Sequence, residues 1–256
     1  MKKLLLAFLF AFGGAAAAES PVGLPDELRD HVAYYTSFNK EDWNTNPNIE
    51  RLKVQIDKRN SLIVPGKGIR GDALQGAANS YGQFTFKSPE AGLNLSRTYS
   101  IWIRHGDSPT PNSNRRGGGG MLIFEFSSLP ETHVGRFDFA ASRQTITGRT
   151  YGLPGMELTG GSANDFAALC PPGQWNHFAM TSNGQRVTWY ANGKKIFGLT
   201  LPKPLEPPYI FDRADVGGQN AFLDEFVIFD IALTDEAVAE YHASVRSLLL
   251  RESMFE

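Results

Sequence analysis

Two Asn-Gly pairs lie nine positions apart in "QWNHFAMTSNGQRVTWYANGKKIF", residues 174–197, each flanked by aromatic and β-branched side chains. Asn-Gly between such runs marks a tight hairpin turn, because both central residues of that turn take a positive φ. Asn183-Gly184 followed by Asn192-Gly193 therefore predicts a three-strand antiparallel meander with Lys194 to Phe197 as its third strand. Alternation assigns the faces. Phe178 and Met180 share one, as do Val187, Trp189 and Ala191; His177, Thr181, Arg186, Thr188 and Tyr190 take the opposite side.

The same rhythm runs along most of the chain. "HVAYYTSF", "SLIVPG", "YGQFTF", "TYSIWIRH", "MLIFEF", "GRFDFAA" and "FLDEFVIFD" are short apolar runs separated by Gly, Pro and Asn clusters, the pattern of an all-β sandwich or barrel. No stretch of ten or more residues between them has helical periodicity, which argues against βαβ units. The tail differs. Thr234 can cap a helix whose first turn holds Asp235 and Glu236, and Ala237, Val238, Tyr241, Val245, Leu248 and Leu249 recur at helical spacing.

The first residues read as a bacterial export signal: Lys2 and Lys3, then apolar Leu4 to Phe12, then Ala16-Ala17-Ala18 as a cleavage site. Cleavage near Ala18 predicts a periplasmic or secreted protein whose residues 19–30 form a polar lead-in. Loss of Lys2 and Lys3 takes the formal net charge from −2 to −4, with no basic footprint for nucleic acid. Cys170 is the single cysteine and reads as a small buried hydrophobe, so no internal disulfide forms.

Trp175, His177, Phe178 and Ala179, then Tyr190, Asn192, Gly193 and Lys194, make up a W-x-H-hydrophobic-A motif followed by an aromatic-x-N-G-K turn. With "YYTSFN", "GIRGDALQ" and the closing "LDEFVIFDIALTDEAVAEYHA", this order resembles the laminin-G-like jelly-roll family of the concanavalin-A-like lectin and glucanase fold. The resemblance implies a two-sheet antiparallel jelly-roll sandwich over residues 31–233, with a C-terminal helix and tail at 234–256. It places Trp102, Trp175 and Trp189 in the core. It further implies a structural calcium ion held by Asp224 of the final strand and by Asn39. Beside that stands the plainer reading, in which Asp224 accepts backbone hydrogen bonds in a turn.

Enzyme signatures are missing from the sequence. "GKGIRG" at 66–71 spells G-x-G-x-x-G but follows Pro65 and precedes no helical pattern. No G-x-S-x-G elbow occurs, no H-E-x-x-H, and no strand with the paired acids of a retaining glycosidase. The chain is therefore expected to bind rather than to catalyse, with a glycoside hydrolase or polysaccharide lyase as the less favoured reading.

Three long loops, 38–50, 105–120 and 150–166, interrupt the strands and are the expected seat of that binding. For a carbohydrate, the candidate contacts are Trp43 and Tyr151 as exposed aromatics, with His105, Asp107, Asn112, Asn114, Arg115 and Arg116 as polar groups. The alternative is an assembly subunit that docks to a partner protein or a membrane complex. Leu248, Leu249 and Leu250 are consecutive, so one helix face cannot bury all three.

Overall fold

The computed structural model describes residues 20–39, 55–59, 61–76, 81–87, 92–106, 121–127, 136–141, 145–151, 159–206, 211, 213–219 and 221–252. Among these, one antiparallel sheet holds eight strands: β1 (Val32–Thr36), β3 (Ser61–Val64), β4 (Ala73–Gly76), β6 (Arg97–His105), β11 (Trp175–Ser182), β12 (Arg186–Ala191), β13 (Lys194–Thr200) and β15 (Ala221–Phe229). Their order is β13-β12-β11-β6-β15-β4-β3, with β1 paired to the C-terminal half of β15. The second sheet holds seven: β2 (Gln55–Arg59), β5 (Tyr81–Lys87), β7 (Met121–Ser127), β8 (Arg136–Ala141), β9 (Thr145–Tyr151), β10 (Thr159–Asn164) and β14 (Arg213–Gln219). They run β10-β9-β8-β7-β14-β5-β2, also antiparallel.

The sheets bury their facing side chains in one cluster. Phe124, Phe126, Phe137 and Phe139 of the second sheet meet Tyr99, Ile101, Phe178, Met180, Val187 and Trp189 of the first, all fully buried. Phe139 meets Phe178 edge-on at 6.0 Å between ring centroids, bridging the layers. Each such ring contributes about 1.5–3 kcal/mol by leaving water. The period-2 assignment of the meander is therefore correct.

The outer face of the first sheet is also covered. The helix α2 (Asp235–Glu252) and the segment around Val22 and Leu28 lie against Tyr35, Trp102, Trp175, Ala179, Tyr190, Val227 and Phe229. Val238, Tyr241 and Val245 supply the helix side of this second cluster. Thr234 caps α2 as expected: its Oγ1 accepts from Ala237 N at 3.2 Å, and its carbonyl accepts from Val238 N. Leu248 and Leu249 lean on the same cluster while Leu250 stays 53% exposed.

The two Asn-Gly turns differ in kind. Asn192 (φ +48°) and Gly193 (φ +72°) both take positive φ, as a tight hairpin requires. In the other turn only Gly184 does (φ +85°). Asn183 instead uses its side chain, Oδ1 accepting from Gln185 N and Arg186 N at 3.1 and 2.8 Å. An Asx turn of this kind satisfies the turn amides without left-handed backbone at the asparagine.

Other expectations need correction. The stretch 150–166 is not all loop, since β10 closes the edge of the second sheet against β9. The lead-in contains a 3-10 helix, Asp26–His31, anchored by buried Leu28. A one-turn helix α1, Phe166–Leu169, follows Asp165, whose carboxylate accepts from Ala168 N. "GKGIRG" forms the connection between β3 and β4, with no helix after it.

Candidate functional site

Of the side chains expected to bind sugar, Trp43, Asp107, Asn112, Asn114, Arg115 and Arg116 lie outside the described residues. Tyr151 is the last residue of β9. His105 is not a loop residue: it ends β6 with only 3% of its surface exposed. Its ring lies 5.1 Å from that of Phe166, and its nitrogens stand 2.9 and 3.1 Å from the carbonyl oxygens of Gly106 and Cys170. Those contacts fix it inside the domain, where no ligand reaches it.

Asp224 and Asn39 hold the 66–72 connection. β4 pairs with β15 at Phe222 and Leu223, and β1 pairs from Phe226 onward, so Asp224 and Glu225 occupy the gap between them. The register slips there, and Glu225 sits at φ +48°. Asp224 accepts from Ile69 N at 2.6 Å and from Glu225 N at 2.8 Å. Asn39 accepts from Asp72 N at 2.8 Å and donates to Ser37 Oγ.

Each Asp224 oxygen and the Asn39 amide oxygen thus already accepts a backbone amide. A Cβ on Gly68 would stand 2.7 Å from Asp224 Oδ2, so the connection itself fills the space in front of the carboxylate. Among the described residues no three His, Cys, Asp or Glu side chains gather where a metal could sit. The arrangement is that of a carboxylate bound by backbone amides, the plainer of the two readings of Asp224.

Burial and the adjacent Glu225 carboxylate push the Asp224 carboxyl well above its ordinary range, against the pull of the amides. Glu225 is equally enclosed, accepting from Val22 N (2.7 Å) and from the Tyr35 hydroxyl (2.9 Å). Two carboxyls with no exposed surface are not placed to flank a glycosidic bond.

A pocket of about 320 Å³ opens between α1, the start of β11, the β12–β13 turn and α2. Its apolar lining is Ala168, Leu169, Pro171, Ala191 and Trp175; its polar lining is Gln174, Asn176, Asn192, Lys194, His242 and Arg246.

The tight turn builds this wall. The Asn192 side chain takes the His177 amide (2.9 Å) and donates to Leu169 O (2.7 Å) and Asn176 Oδ1 (3.0 Å). Asn176 donates in turn to the carbonyls of Pro171 and Gln174. One turn residue thus ties α1 and β11 to the β12–β13 hairpin. Gly193 is required beside it, because a Cβ there would stand 2.8 Å from His242 Nδ1.

Trp175 is pinned by Arg104, whose guanidinium lies 5.1 Å from the Trp175 ring centroid. Behind the pocket, the His242 ring stacks on Trp102 at 5.5 Å and on His177 at 5.7 Å. Burial first, then the positive charges of Arg246 and Lys194, lower the His242 pKa to about 4. His177, fully buried, is lowered as well, chiefly by burial.

The sequence reading saw Trp175, Asn192, Gly193 and Lys194 as fold motif and missed that they frame a cavity. One signal was present: His242 and Arg246 are four apart on the predicted helix, hence neighbours on one face.

The sequence pattern of a laminin-G-type family, described as concanavalin A-like lectin/glucanases superfamily, matches residues 78–239. No curated protein matches this sequence. Among solved structures, the chain is similar to the botulinum neurotoxin serotype D binding domain, with TM-score 0.59 and 12% identity over 85% of this chain and 51% of that one. It is similar also to the serotype D ligand binding domain in complex with N-acetylneuraminic acid (TM-score 0.58, 13% identity, 85% and 52% covered). A third is a type C neurotoxin structure whose cell entry depends on two ganglioside molecules (TM-score 0.57, 13% identity, 86% and 52% covered). The chain spans about half the length of these domains, and at such identity the likeness is one of fold.

Proposed function

Since this chain belongs to the laminin-G-type family of the concanavalin A-like lectin/glucanases superfamily, we propose that it is an exported, non-catalytic carbohydrate-binding module. The observation that carries the reading is the pocket between α1, the β12–β13 turn and α2. A sugar presents an apolar C–H face and a rim of hydroxyls, and this pocket sets an apolar wall ending in Trp175 against the Gln174 amide and the cations Lys194 and Arg246. Its volume of about 320 Å³ suits one terminal residue of a glycan better than a long chain. The neurotoxin domains whose names mention N-acetylneuraminic acid and gangliosides lend support at the level of fold. The enclosed Asp224 and Glu225 support binding over hydrolysis.

A glycan array probed with the purified protein tests this. Ala168 is exposed on α1 and lines the pocket, so Ala168→Trp plugs the cavity without entering the core. Glycans bound by the wild type and lost in the variant support the reading; binding that ignores the plug, or no binding at all, sinks it.

A second reading, an assembly subunit docking through the end of α2, draws on Leu250, 53% exposed beside half-buried Leu248 and Leu249. Leu250→Asp, which leaves the two packed leucines in place, tests it by co-purification from the native envelope. Loss of a stoichiometric partner favours docking, and an unchanged free monomer removes it.

A further inference from the structure

The pocket has a charge that its protein does not share. The chain is acidic overall, with formal net charge −2, yet the pocket is lined by the cations Lys194 and Arg246. Among the described residues no carboxylate lines it. Nor does a described carboxylate pair with Lys194 or Arg246, whereas the adjacent Lys195 is taken by Asp235 at 3.1 Å. Arg246 is steered toward the mouth by a hydrogen bond from its Nη2 to Gln174 Oε1 at 3.4 Å, which leaves the Gln174 amide as a donor beside it. Two unneutralised cations and a neutral donor around one small cavity with an apolar wall describe a receptor for an anion that also has an apolar face.

From this geometry we infer that the pocket takes a sugar bearing a carboxylate, with Arg246 and Lys194 on the acid group and the Trp175 side against the ring. A guanidinium pairs a planar carboxylate through two parallel hydrogen bonds, and an ammonium adds a point charge. A neutral sugar would offer these cations only hydroxyl oxygens, with no charge to pair. The inference rests on the carbohydrate reading above and adds the ligand's charge to it. His242 gives an independent signal: a carboxylate seated between Arg246 and Lys194 offsets the positive field on its ring, so its pKa rises from about 4 as the site fills.

The test is calorimetry with the methyl glycosides of galacturonic acid and N-acetylneuraminic acid, each beside its own methyl ester, with NMR titration of His242 in parallel. The wild type should bind at least one acid about tenfold or more tightly than its ester, the worth of one charge-assisted contact. Lys194→Gln with Arg246→Gln should abolish that preference at unchanged melting temperature, since both side chains sit at the rim. Equal affinity for acid and ester overturns the inference while leaving the carbohydrate reading intact. So does array binding confined to neutral glycans and lost in Ala168→Trp. Inorganic phosphate binding as tightly as the sugar acids would show an anion site with no use for the ring, and would overturn it too. An array on which no glycan binds fells both proposals together.

Discussion

Asn192 does more than turn the chain. Its side chain serves three partners, the His177 amide, Leu169 O and Asn176 Oδ1, from a left-handed backbone that most residues resist. Asn183 serves only the amides of its own exposed turn. Asn192→Ala should therefore cost about 2–4 kcal/mol, from orphaned buried groups plus backbone strain, and Asn183→Ala about 1 kcal/mol or less. Urea unfolding of the two variants side by side checks the ranking; equal losses would mean the Asn192 network is not structural. At the same scale, Lys194→Gln removes one of the two charges that depress His242, so the NMR-titrated pKa of His242 should rise in the free protein.

Among elements, α2 contributes to both the second cluster and the pocket, and its start is set by Thr234. Thr234→Ala should lower stability by about 1 kcal/mol in thermal or chemical unfolding, the usual worth of such a cap. This element was legible in the sequence because its signals are local: a cap, acids in the first turn, and apolar residues at helical spacing. β9 and β10 were not. Gly148 interrupts β9 because Trp189 and Phe197 lie across it, and a Cβ there would stand 2.6 Å from the indole. β10 reads "TGGSAN", with no apolar face to betray a strand. Tertiary packing made these strands, so no window of sequence could have found them. Sugar-binding residues were sought on the longest loops, whereas the pocket assembles from fold motifs distant in sequence, from Ala168 to Arg246. His105 was misjudged because it ends its strand inward, toward Phe166, while reading as the first residue of a polar loop.

For the whole molecule, the second cluster stores two histidines whose charged forms burial disfavours. The unfolded chain binds protons at them first, below the ordinary histidine value of about 6.5, so stability should fall as pH drops from there toward 4. Asp224, shifted upward, acts in the opposite direction, its contribution weakening as pH rises above the ordinary carboxylate range. His242→Gln should flatten the acid-side loss by up to one proton, readable as melting temperature against pH. A chelator should leave the melting temperature unchanged, because Asp224 and Asn39 are held by amides. A drop of several degrees would show that a cation contributes to this fold after all.

The most direct measurement is a crystal structure of the protein soaked with the tightest-binding sugar acid. The account predicts density for its ring beside Trp175, with the carboxylate between Lys194 and Arg246. A sugar seated elsewhere, on the 105–120 loop for example, with this pocket empty, would contradict it.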